Sequence, residues 1–250
     1  MNINLILKKI FRRILFEYQR NKYLNYLITE INEKKYSTKS RYRDLLKSYE
    51  LSGLSNDRDS HINNLNKCLN DLNFPKYDEK NEIFSEHLVI FSAISNSSYK
   101  PKRILEIGTY DGKTAAILSY LFPDSEIITI DLKDNDPIFK STYNRSSILK
   151  EFIKTRNDNL KKNKNIKFIQ CNSLNLTQKN IFKMQDLIWV DGDHTYPTAA
   201  IDITNSIRLL NKNGILMCDD TWKEHNTVFS SYDSLASYET LNAFSEICEI

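Results

Sequence analysis

Two aspartates stand side by side at 219 and 220, a third lies at 191, and a histidine follows at 194. Asp191 closes the apolar run 187–190, and the Asp219-Asp220 pair closes a second run, 215–218. Short apolar runs bounded by turn residues read as buried strands. If the two strands are parallel neighbours, three carboxylates arrive at one sheet edge, where α/β sheets bind ligands. Carboxylates crowded there repel one another unless protons or a cation offset them, and an all-oxygen donor set suits Mg²⁺. His194 has a side chain that can take a hydroxyl proton near neutral pH. It can equally be a loop histidine bonded to Asp193, which itself is either a supporting residue or solvated.

A second group of residues lies upstream. Residues 102–131 read KRILEIGTYDGKTAAILSYLFPDSEIITID. An apolar run stops at Gly108, a helical segment opens at Gly112 and runs through Leu121, and a second apolar run ends in Asp131. Strand, glycine turn, helix, strand and acid make the first βαβ unit of a nucleotide-binding sheet. The chain has only five glycines, at 53, 108, 112, 192 and 214, and four of them fall at strand–helix turns. Such sparing use places glycine where the backbone requires it. The pattern Glu-x-Gly-x-x-x-Gly over 106–112 lacks the Gly-x-Gly-x-x-Gly that cradles a pyrophosphate, which argues against an NAD-dependent oxidoreductase. Asp131 is placed to accept hydrogen bonds from ribose hydroxyls. The alternative is an ordinary βα turn followed by a chance acid.

The 106–112 pattern resembles motif I of the class I S-adenosylmethionine-dependent methyltransferases. The three acids resemble the metal-dependent O-methyltransferases of the catechol and macrocin types, in which one acid closes the fourth strand and a pair closes the fifth. The resemblance covers roughly 82–222. It implies a doubly wound, mostly parallel α/β sheet, the Rossmann-like methyltransferase fold. It also implies S-adenosylmethionine bound by Glu106, Gly108, Thr109, Gly112, Asp131, Asn172, Ser173 and Asp191. Gly108 and Gly112 would let the backbone pass close to the methionine part. Asn172 stands where the family usually has an acid for the adenine amino group, and its carbonyl can accept the same bond. Mg²⁺ would sit on Asp191, Asp219 and Asp220. His194 occupies the place of the catechol enzymes' basic lysine and, with Asp191, would be catalytic. The expected reaction is methyl transfer to a hydroxyl, the acceptor being a small molecule or saccharide, with a sugar or polysaccharide precursor preferred. The rivals are a metal-independent methyltransferase of another small molecule or of nucleic acid, and a non-catalytic module built on the same fold. Class I sheets usually finish with a helix and an antiparallel hairpin, for which 223–250 is short, so the expectation is either an abbreviated sheet or a fragment.

The remaining chain must position these groups. Its 250 residues, 40% hydrophobic and 27% charged, suit one globular α/β domain with an appendage. We divide it into a basic helical extension, 1–81, and a cofactor-binding domain, 82–250. A net charge of +3 is mild, and no nucleic-acid partner is expected. Residues 1–36 have helical periodicity, with Ile3, Leu7, Ile10 and Ile14 on one face and Lys8, Lys9, Arg12 and Arg13 around it. That helix packs on its own domain, on a second subunit, or on an anionic membrane surface. It lacks a cleavage site, no run is apolar enough to span a bilayer, and the cysteines at 68, 171, 218 and 248 form no C-x-x-C pair. The expectation is a cytoplasmic chain with reduced thiols, in contact with the membrane only peripherally. Residues 82–95 predict a helix carrying His87, 132–147 a loop with Phe139, Tyr143 and Arg145, and 147–160 a helix with Leu149, Ile153 and Leu160 on one side. A further helix on Ala200, Ile203, Ile207 and Leu210 ends at Asn213-Gly214.

Overall fold

A computed structural model of the chain describes residues 47, 49–50, 52–78, 86–178, 182–219, 221 and 233–247. Residues 1–46, with the basic helix expected there, and Asp220 lie outside the described residues. Contacts divide the chain into two units, 1–53 with 226–230, and 54–225 with 231–250. The second unit holds the elements described below.

Its strands are β1 (Arg103–Ile107), β2 (Glu126–Asp131), β3 (Ile166–Gln170), β4 (Gln185–Val190) and β5 (Leu210–Cys218). They form one sheet in the order β3-β2-β1-β4-β5, and every pairing is parallel. The order in which strands are added reverses between β1 and β4, so a crevice opens at the carboxyl ends there. The near-continuous apolar runs of β1, β2 and β4 follow from burial on both faces.

On one face lie α1 (Arg58–Asp71), α2 (Glu86–Asn96), α3 (Lys113–Leu121) and α5 (Leu149–Leu160). Trp189 of β4 meets this layer, edge-on to Phe91 of α2 at 5.4 Å. On the other face α6 (Thr198–Leu209) packs against β5, against the 3-10 turn Ser173–Gln178 and against α7 (Asp233–Ile247). Leu105, Ile107, Ile128, Ile130, Ile188 and Val190 form the core there. The sheet is therefore doubly wound, as expected. Because α1 packs on α2, the unit containing the sheet begins at Leu54, whereas composition alone suggests a division at residue 81.

Three local expectations need correction. The segment 132–147 is not an open loop: α4 (Pro137–Ser141) and a 3-10 turn, Thr142–Ser147, fold it, with Phe139 1% and Arg145 7% exposed. Arg145 buries its guanidinium against the rings of Phe139, Phe152 and Tyr110, at 4.6, 4.8 and 5.2 Å, a cation–π cage. Helix α5 buries Phe152, Arg156 and Asn159 rather than the face of Leu149, Ile153 and Leu160. Arg156 is paired with Asp134 at 2.7 Å and lies over Phe168, which satisfies its charge in the interior. Helix α6 ends at Leu209 and not at Asn213-Gly214, because Leu210 already pairs with Gln185 before an irregular register leads to Ile215 opposite Leu187.

Candidate functional site

Backbone hydrogen bonds carry the parallel pairing past the strand ends, and this sets where the polar turns sit. Gly108 N donates to Ile130 O at 2.9 Å, Cys171 N to Asp131 O at 2.8 Å, Asp191 N to Ile107 O at 2.8 Å, and Asp219 N to Val190 O at 2.9 Å. Each acid that closes a strand is thus tied to its neighbour. A cavity of about 940 Å³ opens over the ends of β1, β2, β3 and β4. Gly108 and Thr109 after β1, Asp131 at the end of β2, Asn172 and Ser173 after β3, and Asp191 and His194 after β4 all line it. Glu106 and Gly112 do not line it, and neither does Asp219.

The two motif glycines do different things. At Gly108, with φ of +101°, a Cβ would lie 1.9 Å from the Asp191 carbonyl oxygen. Only glycine lets the β1 turn pass this close to the β4 turn. Gly112, with φ of +77°, sits before α3 and faces the Arg156 carbonyl and Leu160 of α5 instead. Its left-handed backbone, together with a close approach to α5, favours glycine there, away from the cavity. Glu106 is fully buried under the turn, where its carboxyl accepts from the Thr129 hydroxyl, which shares a 2.6 Å hydrogen bond with Thr109. Burial raises the Glu106 pKa well above the carboxylate range. Its Oε2 thus supports the turn from beneath, while Oε1 is buried with no hydrogen-bond partner.

Asp131 accepts from two backbone donors, Leu132 N at 2.7 Å and Tyr110 N at 3.1 Å. Burial pushes its pKa up, and these N–H groups, with Arg145, act against that rise. On the β4–β5 side, Asp191, His194 and Asp219 each offer a ligand atom within 4.8 Å of the others. His194 Nε2 lies 3.7 Å from Asp191 Oδ1. Asp193 is engaged with its own turn, accepting from Thr195 N at 2.9 Å.

Three residues go beyond the sequence reading. His87 stacks on Trp189 at 4.7 Å, and its Nδ1 lies 3.8 Å from Asp219 Oδ1. It is packed, as most helix histidines are, and it also borders the acids. Burial lowers its pKa, with Asp219 opposing. Asp202 of α6 is 1% exposed and lines the cavity, and burial raises its pKa to about 6. The sequence shows there only one acid beside Ala199, Ile203 and Ser206 at helical spacing, which does not single it out. Arg145 is the third, a fixed cation beside Asp131.

Residues 105–221 match the model of a family described as a methyltransferase domain. No curated protein sequence matches the chain. Among solved structures, an SAH-bound methyltransferase of Podospora anserina is 22% identical, with 75% of this chain and 77% of that one covered and a TM-score of 0.44. The O-methyltransferase TomG of Streptomyces achromogenes, involved in tomaymycin synthesis, is 15% identical over 84% and 86%, with a TM-score of 0.43. The N-methyltransferase NodS of Bradyrhizobium japonicum is 18% identical over 68% and 84%, with a TM-score of 0.47. The matched stretch runs from inside β1 to just past β5, so the sheet and both polar turns fall within it. Over these residues the chain is similar to a methyltransferase domain.

Proposed function

We propose that this chain moves the methyl group of S-adenosylmethionine onto an acceptor hydroxyl, with a divalent cation at Asp191 and Asp219. The observation that supports this most is the meeting of two features at one opening. The cavity over β1 and β2 ends in a carboxylate held by backbone donors, and the Asp191–His194–Asp219 cluster stands at its β4 rim.

The donor chemistry fits both groups. Asp131 presents a carboxylate beside the Gly108 turn, suited to the ribose hydroxyls, and Asn172 and Ser173 line the same cavity. Two carboxylates and an imidazole within 4.8 Å suit a divalent cation. When bound, that cation would hold the acceptor oxygen and lower its pKa. Asp220 completes the expected oxygen set but lies outside the described residues. His194 takes the hydroxyl proton, and the adjacent Asp191 carboxylate favours the imidazolium that forms. The imidazole is also close enough to be a third ligand in place of a base. A ligand would favour Mn²⁺ or Zn²⁺ over Mg²⁺, since imidazole is the softer donor.

For the acceptor, the family resemblance favours a sugar or polysaccharide precursor. We further propose that the basic segment 1–36, for which periodicity predicts a helix, brings the chain to an anionic membrane surface. Flotation with acidic vesicles should then show binding that high salt abolishes.

The deciding experiment is calorimetric titration of S-adenosylmethionine with and without Mg²⁺, followed by an acceptor screen. Asp191→Asn should weaken the cation and turnover while the cofactor still binds, with partial rescue by excess Mg²⁺. His194→Ala should slow transfer by roughly 10²–10⁴-fold, without rescue, if it is the base. Full activity in saturating chelator would leave a metal-independent enzyme as the better reading.

A further inference from the structure

We infer that His87, in the first turn of α2, is a positioning residue that orients the Asp219 carboxylate for the divalent cation. The inference rests on the reading that a cation binds at Asp191 and Asp219. His87 is not one of the Asp191–His194–Asp219 group, so it acts on that site through Asp219. Its Nδ1 is buried without a hydrogen-bond partner and lies 3.8 Å from Asp219 Oδ1. Among the described residues the Asp219 carboxylate has no hydrogen-bond donor of its own. A buried polar atom left unpaired is costly, and each of these two groups is the partner the other lacks.

Firmly held elements bring the two together. Successive strand side chains alternate between faces, and Trp189 of β4 pairs with Met217 of β5. Asp219 follows Met217 by two residues and is tied through its N to Val190 O at 2.9 Å, so its side chain leaves on the face where Trp189 lies. On the helix side, Glu86 accepts from Arg58 Nε at 3.0 Å and Nη2 at 2.8 Å, which fastens the first turn of α2 to α1. The His87 ring then stacks on Trp189, 4.7 Å between centroids and 29° from parallel, with Phe91 one helical turn on at 5.8 Å. Trp189 and Phe91 are both in the core, so the imidazole is held on two sides. The 3.8 Å gap exceeds a hydrogen bond, and a turn of the half-buried Asp219 side chain by roughly 1 Å closes it. An N–H on His87 Nδ1 then donates to one carboxylate oxygen and leaves the other for the cation. Carboxylates that ligate metal are held by outer hydrogen bonds of this kind.

Three substitutions separate orientation from packing. His87→Phe keeps a ring on Trp189 and removes the donor. His87→Asn gives up the ring but puts an amide N–H near the place of Nδ1, whereas His87→Gln carries its amide further out, near Nε2. The full chain is titrated by calorimetry with Mn²⁺ and with S-adenosylhomocysteine, as wild type, these three variants, Asp219→Asn, and Asp219→Asn combined with His87→Phe. His87→Phe should bind Mn²⁺ roughly 10–100-fold more weakly, the usual loss for an outer partner of a metal ligand, and bind S-adenosylhomocysteine as the wild type does. His87→Asn should recover most of the Mn²⁺ affinity, and His87→Gln should not. Adding His87→Phe to Asp219→Asn should cost little more, since the two residues act as one unit. If His87 only fills space beside Trp189, Phe is silent and Asn is the worse variant, and the inference falls. Should His87→Phe not fold, Asn against Gln decides, and equal Mn²⁺ affinity in those two overturns it. Unaltered Mn²⁺ binding in folded His87→Phe removes this inference alone. A wild type that binds no Mn²⁺ removes the proposed cation and this inference with it.

Discussion

Glu106 and Asp202 are the two acids most withdrawn from water among the described residues, at 0% and 1% exposure. One supports a turn from beneath, and the other faces the cavity. Asp202 has a folded pKa of about 6 against an ordinary value of 3.8. Between those values the native state holds a proton that the unfolded chain has released. The stability this group contributes is therefore full below about pH 4 and is lost as pH rises through about 6. A shift of this size corresponds to about 3 kcal/mol. Asp202→Asn cannot titrate, so its denaturation midpoint in urea should fall less than that of the wild type between pH 4 and 6.5. Parallel pH profiles would place the titrating group elsewhere. Asp131 makes the simpler case: Asp131→Ala should weaken S-adenosylmethionine by roughly one to two decades, read by calorimetry. Asp131 could be found from sequence because it ends an apolar run after a glycine turn. Asp202 is hidden by the opposite circumstance, a single acid inside a helix whose neighbours look merely amphipathic.

At the scale of elements, β1, β2, β4 and the turns after them were readable, since short apolar runs stopped by Gly or Asp leave little choice. Helix faces were not so clear. On α5 the apolar residues Leu149, Ile153 and Leu160 suggested one face, yet Arg156 is buried by its pairing with Asp134 and its place over Phe168. Periodicity cannot anticipate a charge whose partner lies 22 residues away. The start of β5 was obscured likewise, because Leu210 fits a helical stripe and a strand equally well and the pairing with β4 decides. The two glycines give a test at this scale. Gly108→Ala would drive a Cβ to 1.9 Å from backbone, so the β1 and β4 turns must separate and cofactor binding should be lost. Gly112→Ala meets atoms at 3.1 Å and beyond, and pays mainly the left-handed backbone cost of about 1–2 kcal/mol. It should lower the melting temperature yet bind S-adenosylmethionine nearly as before. Equal loss of binding in both would place Gly112 at the ligand after all.

For the whole molecule, the sheet order brings the site together from segments far apart in sequence. The Gly108 turn, Asp131, the 171–174 turn and Asp191 meet over the reversal between β1 and β4. Sequence reading reached the list of turns because each closes a strand. It did not reach the opposite walls, since Arg145 and Asp202 lie on helical segments whose approach to the cavity depends on packing. A cavity built of turns from four strands links the cofactor to the stability of the fold, because binding only the native state stabilises it by mass action. At a hundredfold excess over Kd, that amounts to about 2.7 kcal/mol. For a domain of about 150–250 residues, each kcal/mol raises Tm by about 2–4 °C. Saturating S-adenosylhomocysteine should thus raise the wild-type Tm by about 5–10 °C in a thermal melt. Mg²⁺ alone should give a separate shift, because the Asp191–His194–Asp219 cluster ties the β4 and β5 turns independently of Asp131. Asp131→Ala should then lose most of the nucleoside shift and keep the Mg²⁺ shift, and Asp191→Asn should lose most of the Mg²⁺ shift. If both shifts vanish together in either variant, the two ligands share one site and the division of the cavity drawn from its lining is wrong.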